Sequence, residues 1–519
     1  MIGRRFFLIA HPLSEDRRRL FVRKPWQAAK TFAEPWTGQP SLPKGREAIR
    51  LHNEERRDEM SPKLRRTGGP WLAALLLAGA AHAQTFHYLY ALGDSPNQLT
   101  SVIQTSDGKY LATENFAEGA SLVRLKANGD LDWTRRYGAT TLPLDAVMVR
   151  QHGDLFAWTG HSRPVGGQPH DPLLVVVKFN GDFMWARKID FGVPAEARAL
   201  EISPQGDFWV GGVVWPNSSQ TKPWVARFDP AGNVKFARVF DCSRSCDLRS
   251  ILLTGDGGAI GVGQTFFKWI WFFSQPRMFA FKVDDTGKPG WAFSYNVDNV
   301  SSGSQQGLVD LARSGSTLYV AGNVTDLCPN FVRCAPRPPA ILTAKLDELT
   351  GTLSSAWAIF PQDGRPAVAS TIAGAPDHIV IGGKVQDLKA GGDEAFLFNA
   401  IPDDNLFQGM LYGDDSGPAS SAIVDVAWSA NFAPAGAVFV TQQTYKTLQR
   451  PAIVRTDALL SAGPMFKQCE HPVYLGAAQI RIKKTALQIP PKDSPVTKLD
   501  LPATPIDPMR QPCIPAQAK

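Results

Sequence analysis

Five charged residues recur at one place in a repeating pattern. Asp145, Glu196, Arg198, Asp247 and Arg249 all stand at the entry to short apolar segments. Carboxylates and guanidiniums gathered at one spot bind polar ligands through charge-assisted hydrogen bonds. Left apart, they are solvated loop charge or ion pairs between neighbouring elements. A second cluster is apolar: "TFFKWIWFFSQP", residues 265–276, carries Phe266, Phe267, Trp269, Trp271, Phe272 and Phe273. Exposed, such a cluster is a contact for a protein, a glycan or a membrane; buried, it is a lengthened hairpin packed on its neighbour.

Other chemistry is thin. No G-x-S-x-G elbow is present. His87, His152, His161, His170, His378 and His471 are scattered, with no H-x-x-x-H pair. The acidic pairs Asp284-Asp285, Asp403-Asp404 and Asp414-Asp415 do not match a calcium loop and read as turns. Neither a metal nor a cofactor is expected. Six cysteines fall in three regions, Cys242 with Cys246, Cys328 with Cys334, and Cys469 with Cys513. Each pair is read as a disulfide pinning a loop in an oxidising compartment.

The elements that position these residues repeat seven times. One copy reads "ALEISPQGDFWVGGVV", "WPNSSQTKP", "WVARFDPAGNVKFARVF" from Ala199 to Phe240. That is a strand, a Gly turn, a strand ending in Gly, a variable loop, then two more strands around a second Gly turn. Equivalent hairpins start at Ser101, Ala146, Ser250, Gly307, Ser370 and Asp425, and fourth-strand residues recur at Trp133, Trp185, Phe236, Trp291, Trp357, Met410 and Phe466. Four short strands per unit at this period predict an all-β, seven-bladed β-propeller of four-stranded antiparallel blades over 84–470. "FHYLYALG" from Phe86 competes with the Phe466 region for the last outer position, and the N-terminal segment is favoured. Residues 471–519 are Pro-rich and read as an extended tail, tied back by Cys513, not as a second domain.

Charge is uneven. Residues 1–83 hold 16 Lys+Arg and 8 Asp+Glu, leaving 39 basic and 40 acidic residues in the rest. The repeat region therefore lacks the basic excess of a nucleic-acid binder. "MSPKLRRTGGPWLAALLLAGAAHAQ" from Met60 has a basic start, an apolar run from Trp71 to Ala81 and an A-x-A site at Ala81–Ala83. It reads as a signal peptide over 60–83, cleaved after Ala83, with an apolar run too short for a transmembrane anchor. Residues 1–59 read as a basic extension ahead of the true start at Met60. A periplasmic or secreted monomer is expected.

The stretches "LLVVVKFNGDFMWARKIDFG" (173–192), "SLVRLKANGDLDWTRRYG" (121–138) and "ALEISPQGDFWVGGVV" resemble the seven-bladed propeller repeats of secreted bacterial proteins. That resemblance covers about 84–470 and implies a fold, since those families share no active site. "KVDDTGKPGW" (282–291) and "KLDELTGTLSSAW" (345–357) look like the docking repeats of quinoprotein propellers, which would imply a quinone-cofactor (PQQ-like) oxidoreductase. Their spacing varies between copies, and no adjacent Cys-Cys pair accompanies them. In an up-and-down propeller, the second-to-third and fourth-to-next-first connections share one face, and here they are the long, variable ones. Function on such scaffolds sits in variable loops. The leading reading is a binding scaffold for a protein or polysaccharide of the cell envelope or exterior at that face.

Overall fold

The computed structural model describes residues 85–512, except 92–96, 118, 139–142, 164–169, 243–244, 271–272, 299, 302–303, 328–337, 387–391, 402–405, 413–419, 430–434, 446–447, 462–469, 500–502 and 506–508. The leader, residues 1–59, Phe466 and the cysteines 328, 334, 469 and 513 thus lie outside the described residues. Within them the chain forms seven antiparallel sheets. All seven predicted hairpins are present, with innermost strands Gln98–Gln104, Leu144–His152, Ala195–Ile202, Cys246–Leu253, Gln306–Ser314, Ala367–Gly374 and Ser420–Ser429 in blades 1 to 7. The ring closes as favoured from the sequence. Phe86–Ala91 pairs antiparallel with Leu448–Arg455 and supplies the fourth strand of blade 7.

Every inner strand slips register at the same point. The slips fall at Thr100, Val147, Arg198, Arg249, Val309, Ser370 and Val424. A bulge bends the strand and takes a backbone amide out of the ladder, and a buried amide needs another partner. The preceding blade provides one in several seams. Val102 N donates to Asp425 Oδ2 at 3.0 Å, Val149 N to Ser101 Oγ at 3.3 Å, and Ile372 N to Asp310 Oδ2 at 3.0 Å.

Between blades the core divides into seam clusters, and the repeat residues explain themselves there. Trp291 and Phe293 of blade 4 lie under the turn of blade 5. A Cβ on Gly351 would meet Phe293 at 2.8 Å and Trp291 at 2.9 Å, and Gly351 adopts φ +62. Tyr295 donates its hydroxyl to the Gly351 carbonyl at 2.7 Å, and Trp291 Nε1 donates to the Glu348 carbonyl at 3.1 Å. Tyr137 repeats the bond on the Gly181 carbonyl at 2.7 Å. Only glycine combines that backbone angle with that approach. The Gly–Trp spacing that resembles quinoprotein docking repeats is thus a seam contact between blades.

The expected four-stranded antiparallel blades are present, and each gains a fifth, outermost strand from the extended Pro-rich segment. It runs back around the ring and adds an outermost strand to every blade, in the order 6, 5, 4, 3, 2, 1, 7: Glu470–Val473, Leu475–Ile480, Ile482–Ala486, Pro491–Asp493, Val496–Leu499, Ala503–Pro505 and Met509–Pro512. It is held by ladder hydrogen bonds and by apolar pairs seven residues apart. Val473 and Leu475 enter the seam of blades 5 and 6, Ile480 and Ile482 that of 4 and 5, and Leu487 and Ile489 that of 3 and 4. The belt covers the fourth-strand edges, while its own exposed edge is short and broken by prolines and lysines. Such edges resist pairing with other chains.

Two tests follow from this packing. Ile489 is 4% exposed, and burying an isoleucine contributes about 1.5–3 kcal/mol. Ile489→Asp combined with Ile482→Asp should free the belt, seen as faster amide exchange in 482–493 and a lower melting temperature. Unchanged exchange would mean that the apolar pairs do not hold it. Glu114, 0% exposed on the blade 1 face toward blade 7, has two carboxyl oxygens without hydrogen-bond partners. Burial pushes its pKa up to about 8, against a smaller lowering by Asn97 and Ser121. A raised carboxyl contributes stability that is full below the unfolded value and lost as pH rises toward 8. Glu114→Gln should therefore raise the melting temperature at pH 8.5 and leave it nearly unchanged at pH 4.

Candidate functional site

The predicted charged residues do come together, at the entry of the inner strands of blades 2 to 4 on the long-connection face. In blade 2, Asp145 sits opposite His161 in the ladder. Arg163 clamps Asp145 through Nε, 2.9 Å from both oxygens, and through Nη2 at 2.5 Å. His161 Nε2 lies 3.7 Å from Asp145, and its ring meets His170 edge-on at 5.5 Å. Burial holds the His161 pKa below the usual histidine range, opposed by the nearby Glu196 and Asp145 carboxylates. In blade 3, Arg198 reaches Glu196 at 3.3 Å, bonds Asp247 of blade 4 and stands 5.8 Å from the Trp215 ring. In blade 4, Arg249 pairs with Asp247 at 2.6 Å and keeps 44% of its side chain exposed.

Equivalent places in blades 5 to 7 carry no charge. They hold Gly307 and Val309, Val368 and Ser370, then Ala422 and Val424. At these inner-strand positions blades 2 to 4 thus form a polar arc of paired charges and blades 5 to 7 do not, although blade 6 carries other ion pairs on the same face, Arg365 with Asp363 and Glu394 and Lys384 with Asp393. Four members of the polar arc escaped sequence reading. Arg163, His161 and His170 meet because the strands Leu155–Ser162 and Pro172–Lys178 fold back as a hairpin, which linear spacing does not show. Trp215, the fourth, follows a strand core and looks like any blade residue.

Deeper in the ring a second set of polar groups draws on six blades, all but blade 4. Arg150 bonds Glu201 at 2.9 Å, and Thr371 bridges Asp310 at 3.1 Å and Asp425 at 3.3 Å. Ser101 donates to Asp425 at 2.7 Å. Burial pushes Asp310 up to about 6, and the Asp425 charge adds to the shift. These groups also cap bulge amides, so they brace the ring.

The aromatic segment forms a two-stranded finger. Phe266 faces Pro276, Phe267 faces Gln275 and Ile270 faces Phe273 in register, with a slip at Trp269. These rungs lie past the last pairings of that hairpin to the inner strand, Cys246–Thr265, and to the fourth strand, Met278–Tyr295. Trp271 and Phe272 lie outside the described residues. The finger is anchored where Phe266 N donates to the Ser245 carbonyl at 2.9 Å. Beside that anchor the Cys242–Cys246 disulfide closes the connection between blades 3 and 4, next to Asp247. Among the described residues no cluster of His, Cys, Asp and Glu could hold a metal ion, and no helix is long and apolar enough to cross a membrane.

No protein-family model and no curated protein matches the chain. Three solved structures align with the chain. The polysaccharide lyase Uly1 aligns over 72% of this chain and 99% of its own, at 10% identity and TM-score 0.43. The α-L-arabinanase of Penicillium chrysogenum, complexed with arabinobiose, aligns over 72% and 97% at 10% identity and TM-score 0.37. An exo-1,5-α-L-arabinanase from a bovine ruminal metagenomic library aligns over 52% and 99% at 10% identity and TM-score 0.26.

The finger can be tested without knowing a ligand. With no third strand beside it among the described residues, Trp269→Ala with Trp271→Ala should leave the melting temperature within a few degrees of the parent. A buried Trp cut to Ala costs roughly 3–5 kcal/mol, so a large loss would make the finger part of the core.

Proposed function

We propose that the protein is an exported binding scaffold that holds a polysaccharide of the cell envelope or exterior across the mouth of blades 2 to 4. The observation that carries this reading is the run of paired carboxylates and guanidiniums at the inner-strand entries of three successive blades, from Asp145–Arg163 through Glu196–Arg198 to Asp247–Arg249. Bracing alone does not call for charge at those strand positions, since blades 5 to 7 hold Gly307, Val368 and Ala422 there. A row of acceptors and donors over three blades, with the Trp215 ring beside Arg198, suits an extended polyhydroxylated chain contacted at several points. Exposed Arg249 is the group freest to turn to a ligand. The disulfide beside Asp247 stiffens this presenting edge and agrees with an oxidising compartment.

Arg249→Ala separates binding from bracing. Asp247 keeps Arg198 as a partner, so the melting temperature should hardly move. Hydrogen bonds from a charged donor contribute about 1.5–3 kcal/mol, so affinity for an immobilised envelope polysaccharide should fall about 10–100-fold. Unchanged retention of the polysaccharide, or selective capture of a protein instead, would refute the reading.

A further inference from the structure

Blade 1 departs from a rule that five other blades keep. In blades 2 to 6 the second-strand residue paired just ahead of the inner bulge is a glycine: Gly160, Gly212, Gly263, Gly322 and Gly383. A Cβ on any of them would meet an inner-strand carbonyl oxygen at 1.8–2.4 Å. Across the ladder each faces a buried Leu, Trp or Phe of the third strand. In blade 1 the same pair is Glu114 with Ser121. A glycine facing a large apolar side chain is replaced there by a carboxyl facing a small hydroxyl.

Asn97 joins this pair. All three residues are at most 1% exposed, and Asn97 and Ser121 stand near enough to lower the Glu114 pKa. Even so, both Glu114 oxygens, the Ser121 hydroxyl and the Asn97 amide oxygen and nitrogen make no hydrogen bond. Buried polar groups are satisfied by protein, by ordered water or by an ion. Among the described residues no charged side chain contributes to the shift of Glu114, so none acts as its counter-charge. Four of the five atoms are hard oxygens, the donors that alkali and alkaline-earth cations take, with no thiolate or imidazole for a transition metal. One carboxylate neutralises one positive charge, whereas a divalent ion would leave an uncompensated charge in a buried site, which is costly. We propose that Glu114, Asn97 and Ser121 bind an alkali cation, Na+ or K+, in the seam where blade 1 closes on blade 7. Without the ion the carboxyl keeps its proton up to about pH 8. When the ion enters, that proton leaves to solvent and the ion takes its place.

Melting of the full chain at pH 7 and constant ionic strength tests the site, with choline chloride exchanged stepwise for NaCl or for KCl. A cation that binds only the folded state stabilises it in a saturable way. At least one alkali salt should raise the melting temperature by about 2–4 °C along a saturating curve, and the lower midpoint tells Na+ from K+. Glu114→Gln should melt alike in all three salts, and the milder Ser121→Ala should need more salt to reach the same rise. Titration calorimetry of the parent in two buffers of different ionisation enthalpy needs no variant. Close to one proton should leave for each cation bound at pH 7. Equal melting of the parent in choline, sodium and potassium chloride would overturn the proposal and leave the three residues to ordered water. So would binding without proton release, the same rise in Glu114→Gln, or a rise with calcium alone.

Discussion

A four-stranded sheet has two apolar faces and cannot bury either alone, so the molecule depends on closing its ring of seams. The seams from blades 1 and 2 to blades 4 and 5 gather the same ingredients. A fourth-strand aromatic lies under the next blade's turn glycine, a tyrosine hydroxyl can bind a carbonyl of that turn, and a bulge amide can look to the preceding blade. Because every seam needs its neighbour, no blade is a folding unit by itself. The weakest logical point is where the chain's two ends must meet. There Phe86–Ala91 completes blade 7, and Arg455, fully buried, donates to the Tyr110 hydroxyl of blade 1 at 3.0 Å. A buried cation and the buried carboxyl of Glu114 thus mark one seam, where unpaired polar groups are most costly if the ring opens.

The belt answers the same constraint from outside. Closing the ring buries the faces of the blades but leaves seven fourth-strand edges with unpaired backbone groups. One chain running against the direction of the blades pairs them in turn, and its apolar pairs wedge the seams at the rim. Inner bulges and outer belt therefore clamp the same interfaces from opposite ends.

The hairpins were legible in the sequence because their signals are local: period-two apolar strands, Gly turns and a recurring aromatic. The N-terminal closing strand followed from counting outer positions. The belt was not legible, since strands such as Pro491–Asp493 or Ala503–Pro505 carry little strand propensity of their own. Its pattern of Val473 and Leu475, Ile480 and Ile482, Leu487 and Ile489 gains meaning only once the spacing of blades around a rim is known. The polar arc was half legible. Asp145, Glu196, Arg198, Asp247 and Arg249 recur at fixed strand positions. Arg163, His161 and His170 join them only through hairpin pairing.

Charge at the inner-strand entries of blades 2 to 4 is what sets the proposed site apart from the scaffold. Ion pairs that merely bridge exposed elements contribute little, typically ~0–1 kcal/mol each, so stability gives weak reason to place so many in one arc. Blades 5 to 7 reach the same closure with Val309, Val368 and Val424. The polar arc also has the disulfide-stapled connection at Asp247 and the finger beyond Thr265 on its blade 4 side, which puts its stiffest and its most projecting features together. A ligand lying along the arc would meet Arg163 first, Arg198 beside Trp215 next and Arg249 last, with the finger standing at its end. On the proposed reading, that order would give an extended chain a direction.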